Sequence, residues 1–379
     1  MSAPPEASAT RAAETVRVLA SEPRPAGSEA EARARAYCAA RLHAAGFTIH
    51  EEPFEYSAFV GRWGTPIGGV VALAIVGAAV MAGRSGAPLV ALLLLSLGAA
   101  TLGYAAVRLA RDGVLSFPAE RRTGSNLVAT RGGPRVDRDG PAVWLMAHLD
   151  SKSQPVPILA RAAGITLLTL TWIVAAALAG WQTVRGADGS GWTGVMVVAV
   201  VGAIPVIATT VGSRSPGALD NATGVATVLA AAEQTSDAIG VCLTSAEELG
   251  LAGARAWVRG RGLAGTAVTL NCDGVDDAGT ATCMYSGRRP DSLVARVLAA
   301  GSRAGVAIRA HRLLPGVLTD GVALADAAWP VVTLSKGGPR TLARIHTPHD
   351  RAEGITGAGI AEVVRVMVEL IEATTQNQG

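Results

Sequence analysis

Ala142-Val-Trp-Leu-Met-Ala-His-Leu-Asp150 is the stretch on which the reading of this chain turns. Its apolar residues, Ala142–Ala147, run without alternation and lead straight into a histidine and an aspartate two positions apart. A continuous apolar run of strand length fits a strand buried on both faces, as in a mainly parallel sheet covered by helices. Gly240–Thr244 (GVCLT), Ala267–Asn271 (AVTLN) and Pro330–Leu334 (PVVTL) have the same character. Amphipathic spacing predicts helices at about Ala30–Ala45, Ala222–Gln234, Ala252–Arg259, Ser292–Ala304 and Gly359–Ala373, with a frayed Thr374–Gly379. The fold class is therefore α/β, a mixed, mainly parallel central sheet with helices on both faces.

Four apolar stretches interrupt this pattern: Pro66–Gly83, Leu89–Leu109, Ala162–Trp181 and Trp192–Gly212. Each has almost no charge and about the length an α-helix needs to cross ~30 Å of hydrocarbon. A buried soluble helix would show a polar stripe, and these show none. The first is shorter and rich in glycine. They form two transmembrane hairpins, at 63–111 and 156–213, which leave 1–62, 112–155 and 214–379 as one interrupted soluble domain. Their turns, at Arg84-Ser-Gly86 and Arg185-Gly-Ala-Asp188, carry one basic residue each. Arg62, Arg108, Arg111, Arg121, Arg122, Lys152, Arg161 and Arg214 lie at the other ends. The positive-inside rule then expects an integral membrane protein with its soluble domain on the cytoplasmic side. Small residues in the helices offer surfaces for packing within the bundle or against a second copy of the chain.

Composition agrees. Of 379 residues 50% are hydrophobic and only 17% charged, below the ~25% of ordinary soluble domains. That excludes a disordered chain. A net charge of +3 with no long basic run argues against a nucleic-acid partner. Cys38, Cys242, Cys272 and Cys283 have no CxxC spacing and read as reduced thiols.

Each polar motif follows a strand, where open α/β sheets bind ligands. His148-Leu-Asp150 follows the first strand, and Glu247-Glu248-Leu-Gly250 follows GVCLT. Asp273 follows AVTLN, Asp220-Asn221 follows the fourth apolar stretch, and Ile345-His346-Thr-Pro-His349-Asp350 lies near the C-terminus. Histidines and carboxylates without a required thiolate suit Zn2+, and also Mn2+ or Co2+. A carboxylate can bridge two ions, and a Glu pair can supply one ligand and one base. Each motif also has a plainer use. Glu247-Glu248 could start a solvated helix, Asp220 could cap one, and Asp273 could sit in a turn.

Taken in order, these motifs resemble peptidase family M28, the co-catalytic di-zinc aminopeptidases. The match runs through H-x-D (His148–Asp150), G-A-x-D-(D/N)-x-x-G (Gly217–Gly224), E-E-x-G (Glu247–Gly250), N-x-D (Asn271–Asp273) and H-T-x-x-D (His346–Asp350). It covers about Glu14–Arg62 and Arg121–Ala373, apart from the insertions. The resemblance implies two Zn2+ ions, one held by His148, Asp220 and Asp273 and the other by Asp220, Glu248 and His346. Glu247 would be the general base, and Asp150 would accept from the other ring nitrogen of His148. Asp350 would hold the His346 loop, His349 would be substrate-side or structural, and the Asp220–Asn221 peptide would be cis. The chain departs from the family in the long insertion between His148 and Asp220, which carries the second hairpin. That placement leads us to expect a site working close to the bilayer on membrane-associated or hydrophobic substrates. Thr319-Asp320-Gly321 resembles the family's S/T-D segment but lacks the following aromatic, and no residue is assigned to substrate binding.

The function expected is a membrane-anchored zinc exopeptidase acting on peptides, most simply an aminopeptidase. Within the family, carboxypeptidase and glutaminyl cyclase chemistry are alternatives, as is a receptor or scaffold with a metal site but no catalysis. A transporter is disfavoured because the apolar stretches hold essentially no mid-membrane ionisable group.

Overall fold

A computed structural model describes residues 5–132, 140–186, 188–261, 267–314 and 317–376. The chain divides into two compact units, one of residues 1–57, 120–153 and 213–379 and the other of 58–119 and 154–212.

The first unit is built on an eight-stranded mixed sheet. In chain order its strands are β1 (Thr48–Ser57), β2 (Arg121–Thr130), β3 (Val143–His148), β4 (Gly240–Thr244), β5 (Val268–Val275), β6 (Thr280–Tyr285), β7 (Ile308–Arg312) and β8 (Val331–Gly337). Their spatial order is β1-β2-β4-β3-β5-β8-β6-β7. The four strands read from sequence are the parallel centre, β4-β3-β5-β8. Alternation in β3 explains why that run is apolar throughout. Val143, Leu145 and Ala147 face one core with the helices Pro5–Leu19, Glu29–Ala44, Thr223–Gln234, Asp291–Arg303 and Ala358–Gln376. Trp144 and Met146 face a second core with Trp257 and Leu324, on the helices Ala252–Arg261 and Asp320–Asp326. With both faces covered, no position from Val143 to Ala147 is left to be polar.

The outer strands β1, β2, β6 and β7 were not anticipated. β1 pairs antiparallel with β2 at one edge, and its burial alternates. Its sequence, TIHEEPFEYS, carries glutamates on the exposed face and so lacks the continuous apolar signal. The C-terminus also differs from expectation. The last helix runs to Gln376, with a buried Thr374 donating to the Leu370 carbonyl at 2.7 Å; the remaining expected frayed residues, 377–379, lie outside those described.

The second unit is a helical bundle. Three of its helices are long and apolar enough to cross a membrane: Ala58–Arg84, Pro88–Ser116 and Ile158–Arg185, of 27, 29 and 28 residues. The fourth apolar stretch departs from the sequence reading. It is helical only over Trp192–Ile207, 16 residues, or about 24 Å at 1.5 Å per residue, which falls short of the hydrocarbon. Pro205, which cannot donate to the helix ladder, stands two residues before its end. The first, glycine-rich stretch is instead part of a full-length helix. Small residues are spent inside the bundle: a Cβ on Gly164 would stand 2.8 Å from the Gly202 carbonyl oxygen. Leu93, Leu97, Ile173 and Ile204 point outward and are exposed, as lipid-facing side chains would be.

Candidate metal centre

The carboxyl ends of the parallel strands deliver most of the site. His148 closes β3 and pairs with Thr244 at the end of β4. β4 runs into the 3-10 turn Glu247–Leu249, and Asp273 lies within β5 next to β3. Asp220 sits in the turn that opens the helix Thr223–Gln234, and its peptide bond to Asn221 is cis. The loop before the last helix supplies His346, at φ +61, and Glu247 follows Ala246 at φ +57. Two non-glycine residues in left-handed backbone so close to the ligand set mark a segment whose conformation is set by its surroundings.

Asp220 lies at the centre. His148 Nε2 stands 3.1 Å from its Oδ1, and His346 Nε2 stands 2.8 Å from its Oδ2. His148 Nε2 is also 3.8 Å from Asp273 Oδ1, and His346 Nε2 is 3.4 Å from Glu248 Oε1. Ligand atoms of His148, Glu247 and Asp273 fall within 4.8 Å of one another, as do those of Asp220, Glu248 and His346. The site residues named from sequence thus come together, all of them buried or nearly so.

A scaffold of hydrogen bonds fixes the loops. Asn221 Nδ2 donates to the Cys272 carbonyl at 2.9 Å, while its Oδ1 accepts from the N–H groups of Gly224 and Gly274, both at 3.1 Å. This ties the Asp220 turn to the end of β5. The buried Arg24 guanidinium donates to the carbonyls of Leu19, Leu149, Pro216 and Gly217, joining the N-terminal segment to both loops around the site. Asp350 accepts from the N–H groups of Leu219 and Asp220, at 2.7 and 3.2 Å, so it holds the Asp220 turn rather than the His346 loop alone. His349 is exposed, its N–H donating to Thr347 Oγ1 at 3.1 Å.

Asp150 meets the other ring nitrogen of His148 through its main chain: His148 Nδ1 lies 3.0 Å from the Asp150 carbonyl oxygen, and 3.8 Å from the carboxylate. A carbonyl only accepts, so Nδ1 donates to it, and Nε2 is the ring nitrogen turned toward Asp220 and Asp273. The carboxylate accepts instead from the N–H groups of Glu247 at 3.0 Å and Glu248 at 3.1 Å. Those two N–H groups open a helical turn and have no intrahelical partner, so a buried anion two residues beyond β3 is captured by them.

Sequence reasoning missed Lys152, which it placed only among the basic residues flanking a hairpin. Its Nζ lies 2.6 Å from Glu248 Oε2, with the lysine side chain 15% exposed and the glutamate 4%. Its position two residues after H-x-D was the available signal.

The electrostatics follow from crowding. Burial, then Glu248 and Asp273, push Glu247 well above the usual carboxylate range, although His148 pulls it down. Burial would likewise raise Asp220, but the two imidazoles outweigh it and hold it well below. Among the described residues, Asp220, Glu247, Glu248, Asp273 and Asp320 crowd around two imidazoles and one ammonium, and Glu248 Oε1 is buried without a hydrogen-bond partner. This excess of buried anionic oxygen, with two nitrogen donors and no thiolate, fits two divalent ions of the zinc class. Cys38, Cys242, Cys272 and Cys283 are all buried and unbridged.

The comparisons with known proteins agree with this geometry. The sequence profile of peptidase family M28 matches residues 126–371. No curated protein matches the chain. Among solved structures, an aminopeptidase from Aneurinibacillus sp. strain AM-1 superposes with a TM-score of 0.57 at 14% identity, over 97% of this chain and 93% of that one. A zinc aminopeptidase from Bacillus subtilis gives 0.57 at 13% identity, over 98% and 96%. A glutaminyl cyclase from Fimbriiglobus ruber gives 0.53 at 14%, over 96% and 94%. These likenesses are of fold, and the family assignment rests on the profile, which spans well over half of the chain. The chain belongs to peptidase family M28, a metallopeptidase family of zinc-aminopeptidase fold.

Proposed function

We propose that the protein is a membrane-anchored, zinc-dependent exopeptidase that removes N-terminal amino acids from peptides. The observation that carries this reading is the placement of the Asp220 carboxylate between two imidazoles, with Glu247 buried beside them. His148, Asp220 and Asp273 would hold one ion, and Asp220, Glu248 and His346 the other. Two ions there supply a Lewis acid for the scissile carbonyl and a water of lowered pKa.

Glu247 does the proton work. Its burial and carboxylate neighbours raise its affinity for a proton, which suits a group that takes one from the attacking water and returns it to the leaving amine nitrogen. The N–H bond to Asp150 fixes the turn that aims it. His148 is held in one tautomer by the Asp150 carbonyl, so it needs no reorganisation to act as a ligand. Three long apolar helices support the membrane anchor, and the arginines beside their ends, Arg62, Arg108, Arg111 and Arg161 against Arg84 and Arg185, favour a cytoplasmic peptidase unit.

The test is turnover of N-terminally free and N-blocked aminoacyl anilides by detergent-purified, zinc-supplied protein. Cleavage of the free-amine series alone is expected. Cleavage of blocked substrates, or cyclisation of N-terminal glutamine in place of hydrolysis, would overturn the aminopeptidase assignment.

A further inference from the structure

The two ligand sets are matched in composition. Each has one imidazole, each shares Asp220, and each adds one further carboxylate, Asp273 or Glu248. They differ in one respect. Among the described residues no lysine or arginine forms a close ion pair with Asp220 or Asp273, whereas Lys152 Nζ sits 2.6 Å from Glu248 Oε2 and reaches Asp220 only at longer range. Glu248 is thereby divided. Oε2 is taken by the ammonium, and Oε1, without a hydrogen-bond partner, is turned toward His346 Nε2 at 3.4 Å.

The segment carrying Lys152 is pinned on both sides. Ser151 N–H donates to the Arg24 carbonyl at 2.9 Å, and Ser151 Oγ accepts from Arg24 N–H at 2.9 Å and donates to the Ser215 carbonyl at 3.0 Å. On the other side, Ser153 Oγ accepts from Arg214 N–H at 2.9 Å. The backbone cannot carry the lysine away, and only its flexible stem can withdraw the charge.

We propose that Lys152 makes the two metal positions unequal, competing with the ion held by Asp220, Glu248 and His346 so that this ion binds more weakly and exchanges faster than its neighbour. The proposal rests on the two-metal reading above. Its physical basis is that a fixed ammonium in a partly buried site repels a divalent ion a few Å away and denies it one of the two Glu248 oxygens. A resting protein would then keep one ion firmly and depend on ambient metal for the second.

The experiment is calorimetric titration of Zn2+ into the full-length, metal-stripped chain in detergent, with a competing chelator to reach tight affinities. The wild type should take up two ions in steps separated by at least tenfold. K152M should tighten the weaker step at least tenfold and bring the two together, while K152R, which retains the charge, should keep them apart. Circular dichroism checks the fold of each variant. Two equal steps in the wild type would overturn the proposal without any variant. So would an unchanged gap in K152M, or loss of the weaker step, which would make Lys152 a prop for Glu248. If the folded wild type binds no zinc at all, the two-metal reading itself fails rather than the role of Lys152 within it.

Discussion

Replacing Asp150 by alanine tests how the site is assembled. The Asp150 carboxylate is wholly buried and accepts from two main-chain N–H groups, those of Glu247 and Glu248. Its burial pushes its pKa up to about 8, the N–H bond from Glu247 acting in the opposite direction. Asp150→Ala leaves both donors unpaired, at about 1–3 kcal/mol each, or roughly 2–6 kcal/mol together. The lower end applies if water enters the vacated space. At about 2–4 °C per kcal/mol for a unit of this size, the apparent Tm should fall by roughly 4–24 °C. The His148 bond is to the main-chain carbonyl, so it survives the substitution. Zinc held by Asp220, Glu248 and His346 should therefore weaken far more than zinc held by His148, Asp220 and Asp273. Differential scanning fluorimetry and chelator-competed zinc titration read the two effects. An unchanged Tm, or a loss confined to the His148 position, would refute the assignment of the carboxylate to the 247–248 turn.

Three further substitutions follow from the same contacts. Asp220→Ala removes the shared ligand and should reduce bound zinc, measured by atomic emission, to well below one ion per chain; retention of one full ion would show that Asp220 does not bridge. Gly224→Ala would place a Cβ 2.0 Å from Asn221 Oδ1 and 2.6 Å from the Cys272 carbonyl oxygen. It should displace Asn221, cost about 1–3 kcal/mol of stability and release zinc, so a normal melt with full zinc would contradict the packing. Asp277 accepts from the N–H groups of Thr356 and Gly359, at 2.6 and 3.0 Å, near the start of the last helix. Burial would raise its pKa, but these bonds hold it below its ordinary 3.8. Its contribution is therefore complete above about pH 4 and fades as pH falls through the lower folded value. Asp277→Ala should cost about 1 kcal/mol at neutral pH, and the gap in denaturant midpoint from wild type should close in acid. A gap that widened in acid would reverse the sign of this argument.

The order of the site along the chain was legible because polar residues at strand ends leave local signatures. AVWLMA followed by His148-Leu-Asp150 joins a doubly buried strand to the candidate site in nine residues. The central parallel strands were readable for the same reason, since both faces are covered and the apolar run is unbroken. β1 and β7 were not, because edge strands need only one buried face, and their charged residues break the pattern. The fourth apolar stretch misled because hydropathy reports composition, whereas the end of the helix at Ile207 is a matter of backbone geometry. Asp150 and Lys152 show the other limit. Asp150 was placed at the site from sequence and Lys152 was not, because which atom a side chain meets depends on how loops distant in sequence converge.

The central claim is that Glu247 moves the proton in a zinc-dependent amide hydrolysis, and kinetics of Glu247→Gln against wild type, both loaded with zinc, test it most directly. Glu247 is counted as a base and not as an essential ligand, so the variant should keep its zinc and its melting temperature while kcat falls by about 10²–10⁴-fold. Turnover close to that of the wild type in the folded, zinc-loaded variant would contradict the account.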